Sequence, residues 1–143
     1  MSASAHRIMV AVDGSDHSLR TAQRAIEYSK LMNGSVMVVH VVQLPEYVAA
    51  DAQRRMSQEL LARAGRAFEA ARKIASDAGV PLETKPLETT GSVVAAICDA
   101  AAAERIDLLV VGVRATRDVT KLMLGSVSEG VIVNAKCDVL VVR

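Results

Sequence analysis

The sequence predicts a doubly wound α/β domain built on a five-stranded parallel sheet with the strand order 3-2-1-4-5. Three observations support this prediction: short apolar runs without alternation, helical patterns between them, and one alternating run that contains a proline. The chain has 143 residues, of which 51% are hydrophobic. Because this length and composition suit one domain with an adequate core, we expect residues 1–143 to form a single domain.

Four short runs rich in β-branched residues predict buried strands. None of them alternates between apolar and polar residues, as expected for strands that helices cover on both faces. Such strands are typical of a parallel sheet. The four runs are Ile8–Val12, Val36–Val42, Asp107–Gly112 and Asp138–Val142.

A fifth run, Leu82–Thr89, is predicted to form an edge strand. It alternates, and it contains Pro86, which has no N–H group to donate to a neighbouring strand. This run is the third strand in chain order. The strand order 3-2-1-4-5 best meets two conditions: right-handed crossovers and a third strand at the edge of the sheet.

Helical patterns lie between the predicted strands, and their apolar stripes would face the sheet. The first two stripes consist of Leu19, Ala22, Ile26 and Ser29, and of Leu60, Ala64, Ala67, Phe68, Ala71, Ala75 and Ala78. We expect a third helix from about Ser92 to Ala103 and a short fourth one from about Val127 to Ala135. Gly34 and Gly79 follow the first two helices, where a left-handed glycine is expected.

Charge and segment lengths argue against several classes of protein. The formal net charge is +1, and basic and acidic residues are intermixed, so we expect no nucleic-acid partner. No apolar stretch approaches the length of a membrane span or a signal peptide, which predicts a cytoplasmic protein without a membrane partner. Cys98 and Cys137 lack the spacing of metal ligands, and we expect buried, reduced thiols and no metal site.

The predicted sheet order places a ligand cleft between the first and fourth strands, where the winding direction reverses. Asp13 follows the first of these strands and Gly112 ends the other. Gly125 and Ser126 open the last helix, whose exposed N–H groups would attract an anion, and the hydroxyls of Ser126 and Ser128 would face the same cleft. An acceptor on one side and an anion site on the other suit a nucleotide.

An alternative without a ligand explains the same residues. Asp13 and Ser15 would then cap the first helix, and Gly125 and Ser126 would cap the fourth. Residue types alone favour neither interpretation over the other.

Several catalytic arrangements do not match the sequence. The segment Ser15–Ser18 places Ser, Asp and His side by side, but such a string is explained more simply as a helix start than as a hydrolase triad. The spacings of a nucleophile elbow, a Walker A loop and a dinucleotide fingerprint are absent. We expect His40 to be a satisfied core or strand-end histidine, while His6 and His17 are isolated.

Segments along the whole chain match one known family. They are IMVAVDGSDHS, VVHVV, DLLVVGVR and LGSVSEGVIVNAKCDVLVVR, and with them the chain resembles a universal stress protein domain. The most specific element is the nucleotide signature of that family, G-x-x-G, nine residues, then G-S/T. Gly112, Gly125 and Ser126 match it, whereas Ala115 stands where the ATP-binding branch has its second glycine. Other family members lack the signature and do not bind ATP.

This resemblance implies a fold, a ligand and a site. The fold would be adenine nucleotide alpha hydrolase-like, and the ligand would be ATP or AMP, with or without Mg²⁺. Ala11, Val12 and Asp13 would line the adenine and ribose, and Val41 the base pocket. The ribose and phosphates would meet Gly112, Arg114, Ala115, Gly125, Ser126, Val127 and Ser128. Val41 equally fits a core valine, and Arg114 a solvated loop arginine.

Two functions therefore stay open. The first is a regulatory module that binds an adenine nucleotide, hydrolyses it slowly or not at all, and acts in the stress response. The second is an interaction module of the same fold that binds an unknown protein and no nucleotide. In either case the apolar fifth strand would be an exposed edge, and we expect a homodimer through Asp138–Arg143 to cover it. The resemblance also implies such dimers.

Overall fold

The computed structural model describes residues 6–115 and 122–143, in which helices and strands alternate along the chain. The strands are β1 (Arg7–Ala11), β2 (Ser35–Gln43), β3 (Leu82–Thr89), β4 (Leu108–Gly112), β5 (Arg114–Ala115), β6 (Leu122–Met123) and β7 (Asp138–Val142). The helices are α1 (Asp16–Leu31), α2 (Ala50–Ala78), α3 (Val93–Ala103) and α4 (Ser126–Asn134). Within these described ranges, no helix is both long and apolar enough to cross a bilayer.

Five parallel strands form the main sheet in the order β3-β2-β1-β4-β7. Since β7 is the fifth strand of the sequence prediction, the predicted order 3-2-1-4-5 is confirmed. Pro86 lies in β3 at the sheet edge, as its missing N–H group requires. At the other edge, Gly112 of β4 pairs with Val142 of β7.

Helices cover both faces of this sheet, which explains why the strands are apolar throughout. On one face, α1 and α2 pack around Ile26 and Phe68. On the other face, α3 and α4 pack around Ile97 and Val131. Cys98 and Cys137 are half-buried free thiols beside this second cluster, less enclosed than expected. Burial raises the pKa of both thiols.

The second helix begins well before the apolar stripe that predicted it. It starts at Ala50, whereas its first buried residue is Ala64. The predicted stripe begins at Leu60, and the ten residues of the helix before it contain no fully buried side chain and no apolar stripe in the sequence.

One of the two glycine predictions is confirmed and the other is wrong. Gly79 ends α2 in the left-handed conformation with φ 70°. After α1, however, the left-handed residue is Asn33, with φ 55°, rather than Gly34. Gly34 is small for a different reason, because a Cβ atom there would collide with the carbonyl oxygen of His6.

A two-stranded antiparallel ribbon, not expected from the sequence, follows β4. Arg114 pairs with Met123, and Ala115 pairs with Leu122. The ribbon starts just past the end of β4. It therefore leaves the sheet at the carboxyl ends of the strands, where a ligand is expected.

Candidate functional site

A cavity of about 390 Å³ opens at the carboxyl end of the sheet, where the chain reverses its winding direction. This volume lies in the range of small-molecule sites. Its walls come from the ends of β1, β2 and β4, from the first turns of α1 and α4, and from α3. The lining residues are Ala11, Val12, Asp13, His17, Ser18, Thr21, His40, Val41, Val93, Ile97, Leu109, Val110, Val111, Gly112, Gly125, Ser126, Val127 and Ser128.

Most of the predicted site residues meet in this cavity. Nine of them line it: Ala11, Val12, Asp13, Val41, Gly112, Gly125, Ser126, Val127 and Ser128. Arg114 and Ala115 lie directly beyond Gly112, in β5, and their side chains lie outside the described part of the structure. The backbone of Ala115 is extended, so this position is not left-handed.

The cavity has an apolar part and a polar part. Val41, Val93 and Ile97 supply aliphatic side chains, while Asp13 and Ser126 supply polar ones. An apolar wall with a few convergent polar groups is the usual lining of a small-molecule site.

Asp13 stabilises the turn that leads into α1. Its Oδ1 atom accepts hydrogen bonds from the backbone N–H of Ser15 at 2.9 Å and from the Ser15 hydroxyl at 2.5 Å. Ser15 is the N-cap itself, since its Oγ accepts from the N–H of Ser18 at 3.1 Å. Gly14 between them has φ 88°, which glycine adopts without strain. Asp13 therefore supports the cap from outside the helix, and its exposed side chain lines the cavity.

The start of α4 has no side-chain cap among the described residues. Gly125 occupies the N-cap position, and a Cβ atom built there would have no neighbour within 4 Å. The first N–H groups of a helix lack intrahelical partners and attract anions. The glycine thus keeps open space in front of a helix start that suits a phosphate or carboxylate.

Ser128 connects α4 to the sheet. Its hydroxyl donates a hydrogen bond to the Gly112 carbonyl at 2.8 Å. The sequence predicted that this hydroxyl faces the ligand cleft, but its hydrogen is directed at the carbonyl of Gly112 in β4. Ser128 can still present its oxygen to the cavity as an acceptor.

Gly112 is small because helix α1 packs against it. A Cβ atom there would lie 2.5 Å from the Thr21 Oγ1 atom and 2.7 Å from the His17 Nε2 atom. The packing of α1 is therefore a sufficient reason for glycine at this position.

The other nine lining residues were not predicted as site residues: His17, Ser18, Thr21, His40, Val93, Ile97, Leu109, Val110 and Val111. His17 was interpreted as isolated, yet its buried Nε2 atom has no hydrogen-bond partner among the described residues. Its position four residues before Thr21, on the same face of α1, was the available indication. His40 donates from Nδ1 to the carbonyl of Val12 at 2.7 Å, as a satisfied strand-end histidine would.

Comparisons with known proteins identify the family of this chain and solved structures with a similar fold. The model of the universal stress protein family matches residues 4–143. The chain is 35% identical over 140 residues to Universal stress protein MJ0531 of Methanocaldococcus jannaschii, covering 96% of this chain and 81% of that protein. Its fold is similar to a universal stress protein in complex with cAMP, with a TM-score of 0.74, 29% identity and coverage of 98% and 99%. The universal stress protein of Archaeoglobus fulgidus in complex with dAMP has a TM-score of 0.70 and 25% identity, with coverage of 96% and 98%.

Proposed function

The chain belongs to the universal stress protein family, and from this premise we propose that it is a regulatory module that binds ATP or AMP in the cleft above the sheet. One observation carries the proposal: a single cavity joins an aliphatic wall, an acidic side chain and an uncapped helix start. These three features suit the base, the sugar and the phosphates of a nucleotide, in that order. Solved relatives that hold cAMP and dAMP support an adenine nucleotide.

The base belongs at the aliphatic end. There it would lie against Ala11, Val12 and Val41, with Val93 and Ile97 of α3 opposite the sheet. Asp13 would accept hydrogen bonds from the ribose hydroxyls, because its carboxylate lines the cavity beside β1.

The phosphates belong at the start of α4. Gly112, Gly125, Ser126, Val127 and Ser128 line this part of the cavity, and Arg114 and Ala115 follow in β5. Backbone N–H groups at the helix start would donate to phosphate oxygens. Mg²⁺ would enter on the phosphates of ATP, since the described residues contain no cluster of three or more His, Cys, Asp or Glu side chains to hold it.

The module would act as a homodimer through β7 in the cytoplasm, report nucleotide state to a protein partner during stress, and hydrolyse ATP slowly at most. The edge position of β7 supports the dimer, because this strand has a neighbour on one side only among the described residues and its Val141 is 41% exposed.

Analysis of bound nucleotide tests this function directly. The protein is purified without added nucleotide and denatured, and the supernatant is examined for adenine nucleotides. Calorimetric titrations with AMP, ATP and GMP then give the dissociation constants. We expect adenine nucleotides in the supernatant and tighter binding of AMP or ATP than of GMP. An empty supernatant with no binding at millimolar concentration would favour the alternative, a protein interaction module, which Ala115 at the signature position suggests.

A further inference from the structure

We propose that His40 is a positioning residue for the ligand cleft: it binds the Val12 carbonyl, separates β1 from β2 at this point, and leaves the Val41 N–H to the ligand. The inference deepens the proposed nucleotide site and rests on it for the identity of the ligand. The separation of the strands itself stands on backbone geometry alone.

The residues of β2 alternate between their two neighbouring strands. Val39 faces β1, since its carbonyl accepts from the N–H of Val12 at 2.8 Å. Val36 faces β3, where its N–H donates to the carbonyl of Pro81 at 3.0 Å. By this alternation Val41, two residues after Val39, directs its N–H and carbonyl toward the β1 side.

The ladder between β1 and β2 stops one bond early. In a parallel pair, the bond from Val12 N–H to Val39 is followed by one from Val41 N–H to the Val12 carbonyl. Among the described residues this second bond is not formed, and the pairing ends at Ala11 and Val39.

His40 replaces the missing bond. The Val12 carbonyl belongs to a residue that is 5% exposed, and a buried carbonyl needs a partner. His40 Nδ1 lies 2.7 Å from its oxygen. A carbonyl oxygen only accepts, so Nδ1 must carry the hydrogen, and this holds for the neutral and the protonated ring alike.

The consequence is a backbone donor at the base end of the cavity. Val12 and Val41 both line the cavity, and the Val41 N–H is directed into the gap between their strands. Such a donor would bind a ring nitrogen of the base, which is an acceptor. His40 acts on the ligand only through Val12 and Val41.

Substitutions of His40 separate this role from simple packing. In His40→Phe the ring remains but the donor is lost, so the Val12 carbonyl should take the Val41 N–H and extend the ladder. His40→Val, with a side chain that suits a strand, serves as a second variant should phenylalanine not fit. His40→Asn is the matched control, because its amide nitrogen can replace Nδ1 as the donor.

Amide hydrogen exchange of Val41, measured by NMR without ligand, is the decisive measurement. We expect fast exchange in the natural protein and in His40→Asn, and exchange at least about tenfold slower in His40→Phe. The dissociation constant for AMP should rise about tenfold in His40→Phe and stay within about twofold in His40→Asn.

Other results would overturn the inference. It fails if the Val41 amide of the natural protein is already as protected as that of Val39, or if His40→Asn loses affinity as His40→Phe does. Fast Val41 exchange in a natural protein that binds no AMP would instead refute the proposed function while the strand separation stands.

Discussion

The hydroxyl of Ser128 donates a hydrogen bond to the carbonyl of Gly112 at 2.8 Å, and so fastens the start of α4 to the end of β4. Both segments line the cavity at the proposed phosphate site. The bond therefore fixes the distance between the backbone groups that would bind the ligand.

Ser128→Ala should lower the free energy of unfolding by about 1 kcal/mol, because the Gly112 carbonyl loses its donor. AMP affinity should fall as well, since the two sides of the site are no longer tied together. The control is Ser126→Ala, which changes an exposed serine two residues earlier and should reduce affinity without lowering stability. Urea unfolding and calorimetry measure both quantities, and equal stability of the two variants would contradict the role given to Ser128.

The two glycines that frame the loop should respond differently to added side chains. Gly112→Ala should destabilise the protein by about 1–3 kcal/mol, because its Cβ would overlap Thr21 and His17. Gly125→Ser should keep or slightly raise stability, since serine is a good N-cap and meets open space. It should nevertheless weaken AMP binding, because the new side chain occupies the approach to α4. Thermal melts and titrations distinguish the two variants. If Gly112→Ala is as stable as the natural protein, α1 can move away from the added methyl group, and its packing does not require glycine.

Ala115→Gly should leave ATP affinity within about twofold of the natural protein. The backbone at this position is extended and paired with Leu122, so alanine imposes no left-handed strain that glycine would relieve. Titration with ATP is the measurement. A tenfold gain in affinity would mean that the loop adopts another conformation when the ligand binds.

Asp13→Ala should have two effects of different size. Loss of the acceptor for Ser15 should cost about 1 kcal/mol of stability, as the loss of a cap does. Loss of the carboxylate should cost about 1.5–3 kcal/mol of nucleotide binding. Asp13→Asn keeps an oxygen for Ser15 and removes the charge, so it should spare stability more than affinity. If Asp13→Ala melts earlier but binds AMP normally, the residue serves only the turn.

Val141→Lys should convert the proposed dimer into a monomer. Val141 is exposed on the edge strand, whereas Leu140 packs against the core, so a lysine at 140 would also damage the fold. Glu83→Lys on the opposite edge is the control and should leave the assembly unchanged. Light scattering at micromolar concentration gives the mass, and a natural protein that is already monomeric would contradict the dimer.

Much of the fold could be predicted because its strands carry strong patterns. Continuous apolar runs indicated burial on both faces, and Pro86 fixed one edge, which together determined the strand order. The β5 and β6 ribbon has two residues in each strand, too few for any periodicity. The first turns of α2 contain no apolar stripe, which agrees with the absence of fully buried residues there.

The cleft was predictable only in part, for a related reason. Asp13, Gly112 and Gly125 stand at strand ends and at a helix start, which chain order reveals. His17 and His40 reach the cleft through their side chains, from a helix face and from a strand interior. Their contacts with Gly112 and Val12 depend on how α1 and β2 lie against β4 and β1, and no local pattern encodes that arrangement.

The pairing of Gly112 with Val142 gives the proposed nucleotide and the proposed partner subunit a common strand ladder. The N–H of Val113 extends it, donating to the Val142 carbonyl at 3.0 Å. Two binding events on neighbouring strands are thermodynamically linked if either one shifts this ladder. If the nucleotide changes the dimer affinity by some factor, dimerisation must then change the nucleotide affinity by the same factor. In such a protein, a rise in protein concentration would tighten or weaken nucleotide binding, and a rise in nucleotide concentration would change dimerisation by the same factor.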